Sequence, residues 1–199
     1  MTRPATIAAL VLAILIAGCR TVPPTTVPSS TWEERRAHLQ ARERFEIKGR
    51  AGIVAGQDGF TAGLHWMQSG GQSQLDLQGP LGVGGVHISA NGDALSLINS
   101  RGEHLDSDAA RAELQMRLGF DAPLASLRYW ILGVPDPAQA AGTAAEVLDV
   151  EHRLTSLQQA GWQIDYADYV AVKGEWLPGR VTLQRANVRV RLIVDHWEP

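Results

Sequence analysis

Strict alternation of apolar and polar residues is the feature that most constrains what this chain can fold into. Residues 45–55, "FEIKGRAGIVA", and residues 60–68, "FTAGLHWMQ", place apolar or small side chains at every second position. A period of two is typical of a β-strand with one buried face. Because the loop between the two runs contains Gly56 and Gly59, the runs are expected to pair as a hairpin.

The same alternation recurs along the chain, with turn residues between the runs. Asn91-Gly92 is a strong hairpin signal, and another turn is expected near residues 100–102. Short connections of this kind predict an antiparallel meander with one apolar and one polar face. Further strands are predicted at residues 75–77, 86–88, 95–97, 146–150, 152–158, 162–167, 179–185 and 187–195.

Three helices are predicted between these strands. The first presents Trp32, Leu39 and the stem of Arg36 as one apolar stripe, and the third is unusually apolar for its length. Gly119 and Gly133 are placed to end the second and third helices. The helices are expected to begin, in chain order, at Ser30 or Thr31, at Asp106 or Ser107, and near Pro123.

This order of elements predicts a mainly β protein with some α-helix. A single curved antiparallel sheet that wraps around two or three helices accounts for it. No internal repeat or domain break is visible, so residues 30–199 are expected to form one domain.

The N-terminus has the pattern of a bacterial lipoprotein signal peptide. Arg3 precedes an uncharged apolar run at residues 5–17, which is shorter than the about 20 residues that a membrane-spanning helix needs. The following "IAGC", residues 16–19, resembles a lipobox, in which the cysteine is lipidated and becomes the mature N-terminus. The sequence therefore predicts a signal peptide at residues 1–18 and a lipid anchor on Cys19.

The residues after the cysteine predict where the protein is held. Position 20 is Arg, not the aspartate that retains such lipoproteins at the inner membrane, so the periplasmic face of the outer membrane is expected. Residues 21–29, "TVPPTTVPS", have the composition of an extended, disordered tether. Residues 19–29 are thus interpreted as lipidated cysteine and tether.

Charge and motifs argue against several classes of function. The formal charge is −3, and losing Arg3 with the signal peptide makes it −4, which disfavours an electrostatic nucleic-acid binder. The histidines show no metal-ligand spacing, no nucleophile-elbow or phosphate-loop motif occurs, and Cys19 is the single cysteine. No catalytic residue, metal site or cofactor is predicted, although one sequence does not exclude a carboxylate pair assembled by the fold.

Large apolar side chains are abundant enough to suggest a ligand cavity. The chain has six tryptophans against three phenylalanines and three tyrosines. Such side chains either fill a core or line a cavity that suits acyl chains. The candidate wall residues are Phe45, Trp66, Leu75, Leu77, Ile88, Leu97, Leu114, Trp130, Ile131, Trp162 and Tyr166.

A glycine-rich loop at residues 79–85, "GPLGVGG", carries an apolar tip. Pro80 and Gly82 flank Leu81, and Val83 follows. Turn tips favour small or polar residues, so a leucine there either folds back onto the sheet or contacts something outside the protein.

Six segments of the chain together carry a family resemblance, namely "KGRAGIV", "LHWMQSG", "GPLGVGGVHI", "LRYWILGVP", "GWQIDYADY" and "RLIVDHW". They resemble the LolB family of Gram-negative outer-membrane lipoproteins, and the resemblance runs through essentially the whole mature chain. It implies an incomplete β-barrel with a helical lid over a hydrophobic cavity. It also implies that the protein, as a monomer and without a cofactor, takes acylated lipoproteins from the periplasmic carrier LolA and places them in the inner leaflet of the outer membrane.

The resemblance also assigns a role to the loop. In this family an exposed leucine between the third and fourth strands acts on the membrane, which here is Leu81, with Val83 assisting and Pro80 and Gly82 shaping the tip. Two alternatives stay open: a lipoprotein of the same fold that binds lipid or lipoprotein as a sensor or store, and an envelope enzyme.

Overall fold

The computed structural model describes residues 31–80 and 84–199. The predicted signal peptide, the predicted lipidation site Cys19 and the predicted tether lie outside the described residues, as do Leu81, Gly82 and Val83. Within the described residues, no helix is both long and apolar enough to cross a membrane.

Thirteen strands, three α-helices and one short 3₁₀ helix at Gln139–Ala141 are described. The α-helices are α1 (Trp32–Gln40), α2 (Ser107–Leu118) and α3 (Leu124–Trp130). The strands are β1 (Arg44–Ala55), β2 (Asp58–Ser69), β3 (Gln72–Gln78), β4 (Val86–Asn91), β5 (Ala94–Ile98), β6 (His104–Asp106), β7 (Ala145–Leu148), β8 (Leu154–Gln159), β9 (Trp162–Ala167), β10 (Val170–Val172), β11 (Glu175–Leu177), β12 (Arg180–Arg185) and β13 (Val188–Glu198).

Eleven of the strands form one antiparallel sheet in the order β6-β5-β4-β3-β2-β1-β13-β12-β9-β8-β7, and β10 and β11 form a separate hairpin. The end strands β6 and β7 do not pair with each other, so the sheet is not closed into a barrel. Ile88 on β4 and Trp162 on β9 nevertheless line the same small cavity. Because six strand spacings of about 4.8 Å would separate β4 from β9 by about 29 Å in a flat sheet, the sheet must curl around that cavity.

A β-bulge next to Gly49 contributes to this curvature. Lys48 pairs with His196, but Gly49 pairs with Val194, so β13 has an extra residue at this point. A Cβ atom on Gly49 would lie 2.0 Å from the carbonyl oxygen of Ile193, which no other residue type could accommodate. Bulges bend the strand and increase its twist, so this glycine allows β1 and β13 to curve together.

Helix α1 begins with a capping box and buries one arginine against the β10–β11 hairpin. The predicted start at Ser30 or Thr31 is confirmed at Thr31, where a capping box forms: Thr31 and Glu34 each accept a hydrogen bond from the other's backbone N–H, at 3.3 and 3.0 Å. The predicted position of Arg36 in the apolar stripe is wrong, because Arg35 is buried beside Trp32 and Leu39 instead. The Arg35 guanidinium donates to the carbonyl oxygen of Trp176 on β11, in a hairpin that the sequence did not predict.

Candidate functional site

An apolar cavity lies between the concave face of the sheet and helices α2 and α3. Its volume is about 70 Å³, and every side chain along its wall is aliphatic, aromatic or proline. Strands from β4 round to β9 supply one side of the wall, while the two helices and the segment that joins them supply the other. The sheet and the helices thus enclose a space with no polar group to hold water.

The predicted cavity residues fall into two groups. Six line the cavity, namely Trp66, Leu75, Leu77, Ile88, Leu114 and Trp162. The second group is buried in the surrounding core and has five members, namely Phe45, Leu97, Trp130, Ile131 and Tyr166. In this second group, the ring of Phe45 packs edge-on between Trp66 and Trp197, with centroids 5.4 and 5.9 Å away. Contact of either group with a ligand remains a prediction.

Tyr166 is the polar exception in that second group. Burial raises the pKa of its hydroxyl well above the ordinary value, and the described residues offer the hydroxyl oxygen no hydrogen-bond partner. The hydroxyl is therefore neutral at any physiological pH and contributes to the core mainly through its ring.

Six wall residues on the helical side were not among the predicted cavity residues, namely Leu118, Phe120, Ala122, Pro123, Leu124 and Leu127. Leu118, Leu124 and Leu127 lie on the inward faces of α2 and α3, where helical periodicity indicated burial without indicating a cavity. Phe120 follows the glycine that ends α2, and its ring packs edge-on against Trp162 with centroids 5.7 Å apart. No periodic pattern marks Phe120, because it belongs to a loop.

Helix α3 and the segment after it are fixed to the sheet by buried hydrogen bonds. The indole Nε1 of Trp130 and the backbone N–H of Asp136 both donate to Oε1 of Gln159, each at 2.9 Å. Nε2 of Gln159 donates in turn to the carbonyl oxygen of Asp136 at 2.8 Å. The Ser126 hydroxyl donates to the Asp136 carboxylate at 2.7 Å. Because leaving such buried groups unpaired is costly, α3 forms a fixed wall.

Helix α2 is attached mainly by apolar contacts through Leu114 and Leu118. Within the described residues, Arg111 is the one side chain of α2 that hydrogen-bonds outside the helix, to the Asp93 carbonyl oxygen at 3.3 Å. The predicted N-cap is Asp106, but its side chain makes no capping hydrogen bond.

The junction at the start of α2 is strained as well as uncapped. Ser107 has φ 50°, a left-handed conformation that costs a non-glycine residue about 1–2 kcal/mol. Helix α2 is therefore the wall of the cavity that can move with the least loss of polar contacts.

A second apolar depression, the β3–β4 groove, lies beside the cavity at the base of the loop between those strands. Its volume is about 230 Å³. Leu77, Leu114 and Leu118 line both the groove and the cavity, so the two spaces adjoin at these side chains. Phe60, Ala62, Gly79, Gly84, Val86 and Arg117 complete the wall of the groove.

The described residues on either side of the predicted membrane loop include Gly79 and Gly84, which line this groove. Pro80 is exposed, and Gly84 has φ 77°, a conformation that favours glycine. The side-chain positions of Leu81 and Val83 are outside the described residues, so their role stays a prediction.

Two histidines, His65 and His87, lie on the outer face of the sheet with about one third of each side chain exposed. His65 donates to a Glu46 carboxylate oxygen at 2.9 Å, and His87 donates to Asp76 at 2.6 Å. Hydrogen bonds from Lys48 and His65 lower the pKa of Glu46. In residues 31–80 and 84–199 no group of three or more histidine, cysteine or acidic side chains is arranged to hold a metal ion.

Comparison with known proteins connects this architecture to one family. The family model of the outer membrane lipoprotein LolB matches residues 43–197. An outer-membrane lipoprotein LolB of Nitrosococcus oceani is 37% identical over 188 residues, covering 93% of this chain and 92% of the relative. One from Stutzerimonas stutzeri is 32% identical over 193 residues, covering 94% and 92%.

Solved structures support the fold independently. A LolA superfamily protein from Nitrosomonas europaea superposes with a TM-score of 0.52 at 10% identity, covering 85% of this chain and 93% of that one. A DUF1329 family protein from Desulfovibrio piger gives a TM-score of 0.58 at 8% identity, covering 84% and 90%. At such low sequence identity, these two structures support only the assignment of the fold.

Proposed function

The chain belongs to the outer membrane lipoprotein LolB family, and on that premise we propose that it accepts lipoproteins from the periplasmic carrier LolA and inserts them into the inner leaflet of the outer membrane. The protein is an outer-membrane lipoprotein. We assign the lipid anchor to Cys19. We further propose that the protein acts as a monomer, which binds and transfers acylated cargo without catalysing a chemical reaction.

The apolar cavity is the observation that carries this proposal. Each methylene group that moves from water into an apolar site contributes about 0.8 kcal/mol, and a wall without polar side chains suits a ligand made of methylene groups. The cargo's acyl chains would occupy this cavity during transfer.

The size of the cavity implies that binding requires movement. An engineered apolar cavity of about 150 Å³ accepts a benzene molecule, and this cavity measures about 70 Å³. An acyl chain is far larger than benzene, so the described structure is a closed form. Helix α2 is attached to the sheet by apolar contacts through Leu114 and Leu118. When α2 moves away, an acyl chain can take the place of these two side chains against the sheet. The movement then replaces one set of apolar contacts with another.

Delivery would depend on the β3–β4 loop. Burying one leucine contributes about 1.5–3 kcal/mol, which is too little to anchor the protein but enough to orient a domain already tethered through Cys19. In this proposal Leu81 enters the acceptor leaflet, with Val83 assisting, and brings the helical side of the cavity to the membrane surface. A Leu81 side chain folded back onto the sheet is the alternative.

A transfer assay tests the proposal. LolA loaded with a radiolabelled lipoprotein is mixed with this protein and then with phospholipid liposomes, and the label is followed from carrier to protein to liposome. We expect one cargo molecule to move at each step without added nucleotide.

The alternatives give different results in the same assay. Uptake without release into liposomes would indicate a sensor or store, and chemical alteration of the cargo would indicate an enzyme. Absence of uptake from the loaded carrier would refute the proposal.

A further inference from the structure

The β3–β4 groove is larger than the cavity and lies beside the loop, since Gly79 and Gly84 line it. Its volume of about 230 Å³ is about three times that of the cavity. Leu77, Leu114 and Leu118 line both the groove and the cavity, so the two spaces adjoin at these side chains. Two of these belong to α2, the wall that can move.

Movement of α2 away from the sheet would therefore join the two spaces. The combined channel would run from the fixed wall at α3, past Leu114 and Leu118, to the end of the sheet where the β3–β4 loop begins. Apart from Arg117 at its rim, the groove is lined by apolar side chains and glycines. An acyl chain passing along it would remain out of water.

Phe60 marks the outer end of this channel. It pairs with Ile53 across the β1–β2 hairpin and lines the groove, yet 41% of its surface is exposed. Large aromatic side chains on the inner face of a sheet are ordinarily buried against other residues. Here the side chain lines the groove and still remains partly uncovered.

We propose that the β3–β4 groove is the exit through which the acyl chains of the cargo leave the cavity for the membrane, and that Phe60 is the last side chain they contact. This inference rests on the proposed function and deepens it. Its occupant is an acyl chain of the bound lipoprotein, because the groove is continuous with the cavity through movable apolar side chains.

Two glutamate variants of the same hairpin test the exit. Phe60→Glu places a carboxylate in the groove, and Val54→Glu is the matched control, because Val54 is 46% exposed on the opposite face of the sheet and pairs with Gly59. Since acyl chains would have to pass a charged group, we expect Phe60→Glu to slow release into liposomes by about tenfold. Uptake from the loaded carrier should stay normal in both variants, and release should stay normal in Val54→Glu.

The outcomes separate the exit from the proposed function. If the unaltered protein takes no cargo from the carrier, the proposed function fails and the exit fails with it. If the unaltered protein takes and releases cargo and Phe60→Glu releases it as fast as Val54→Glu, the exit is refuted while the function stands.

Photo-crosslinking identifies the occupant. A benzophenone amino acid replaces Phe60 in one protein and Met67 in another, since Met67 lies on the same strand and is 36% exposed. We expect position 60, and not position 67, to crosslink to the acyl chains of the cargo during release. Crosslinking of position 60 to liposome phospholipid alone would contradict the assignment.

Discussion

Replacing Gln159 with leucine should remove the buried hydrogen bonds that fix α3 and the segment after it to the sheet. The side chain is 3% exposed and satisfies three buried groups: the Trp130 indole N–H, the Asp136 backbone N–H and the Asp136 carbonyl. Each buried group left unpaired costs about 1–3 kcal/mol. The added apolar surface of leucine offsets part of this, so we expect the free energy of unfolding to fall by about 3–6 kcal/mol.

Urea unfolding followed by tryptophan fluorescence measures this loss, with Gln163→Leu as the matched control. Gln163 lies on the neighbouring strand β9, is half-buried, and donates to Ser156 and Asp165 on the outer face. Because water can replace those partners, the control should lose less than about 1 kcal/mol. If Gln159→Leu is as stable as the control, the network does not fix α3, and the contrast between a fixed α3 and a movable α2 is wrong.

Three further predictions concern the anchor, the loop and the pH dependence. Cys19→Ala should release a folded protein from the outer membrane on cell fractionation, and membrane association that persists would show a different anchor. Leu81→Glu should leave the thermal midpoint and cargo uptake unchanged but prevent release into liposomes, whereas a loss of stability would indicate a leucine packed on the sheet. Burial raises the pKa of Asp149, but hydrogen bonds from Arg153 and Glu151 outweigh this effect and hold the pKa below the usual range. The ionised Asp149 therefore stabilises the folded protein at any pH above the pKa that this group has in the unfolded chain. This stabilisation is lost as the pH falls through the lower pKa that the group has in the folded protein. When the pH is lowered from about 5 to about 3, the free energy of unfolding should therefore fall less in Asp149→Asn than in the unaltered protein. An equal fall in both proteins would contradict the role assigned to Asp149.

The strands and the helix ends were predictable where a local pattern determines them. Alternation indicated β9 at residues 162–167 with its observed bounds, and Gly119 ends α2 in the left-handed conformation that a C-terminal glycine favours. The hairpin of β10 and β11 was missed, because strands of three residues are too short for alternation to be visible. Burial of Arg35 was missed for the same reason, since its partner lies in that hairpin.

The candidate site was predictable in composition but not in shape. Periodicity showed that Trp66, Leu77 and Leu114 face inward, whereas the division into cavity wall and filled core depends on how the sheet curls. Gln159 lies one residue beyond the strand predicted at residues 152–158, and only the packing of α3 explains why its polar side chain is buried.

Movement of α2 on cargo binding is the central claim, and one distance measurement tests it directly. Spin labels at Met116→Cys on α2 and Val147→Cys on β7, positions that are 74% and 57% exposed, would report the separation of the helix from the sheet. A control pair at Val54→Cys and Val147→Cys would report the sheet alone. We expect loading with an acylated lipoprotein to shift the α2 distance and leave the control distance unchanged; loading that leaves both distances unchanged would contradict the opening of the cavity by α2.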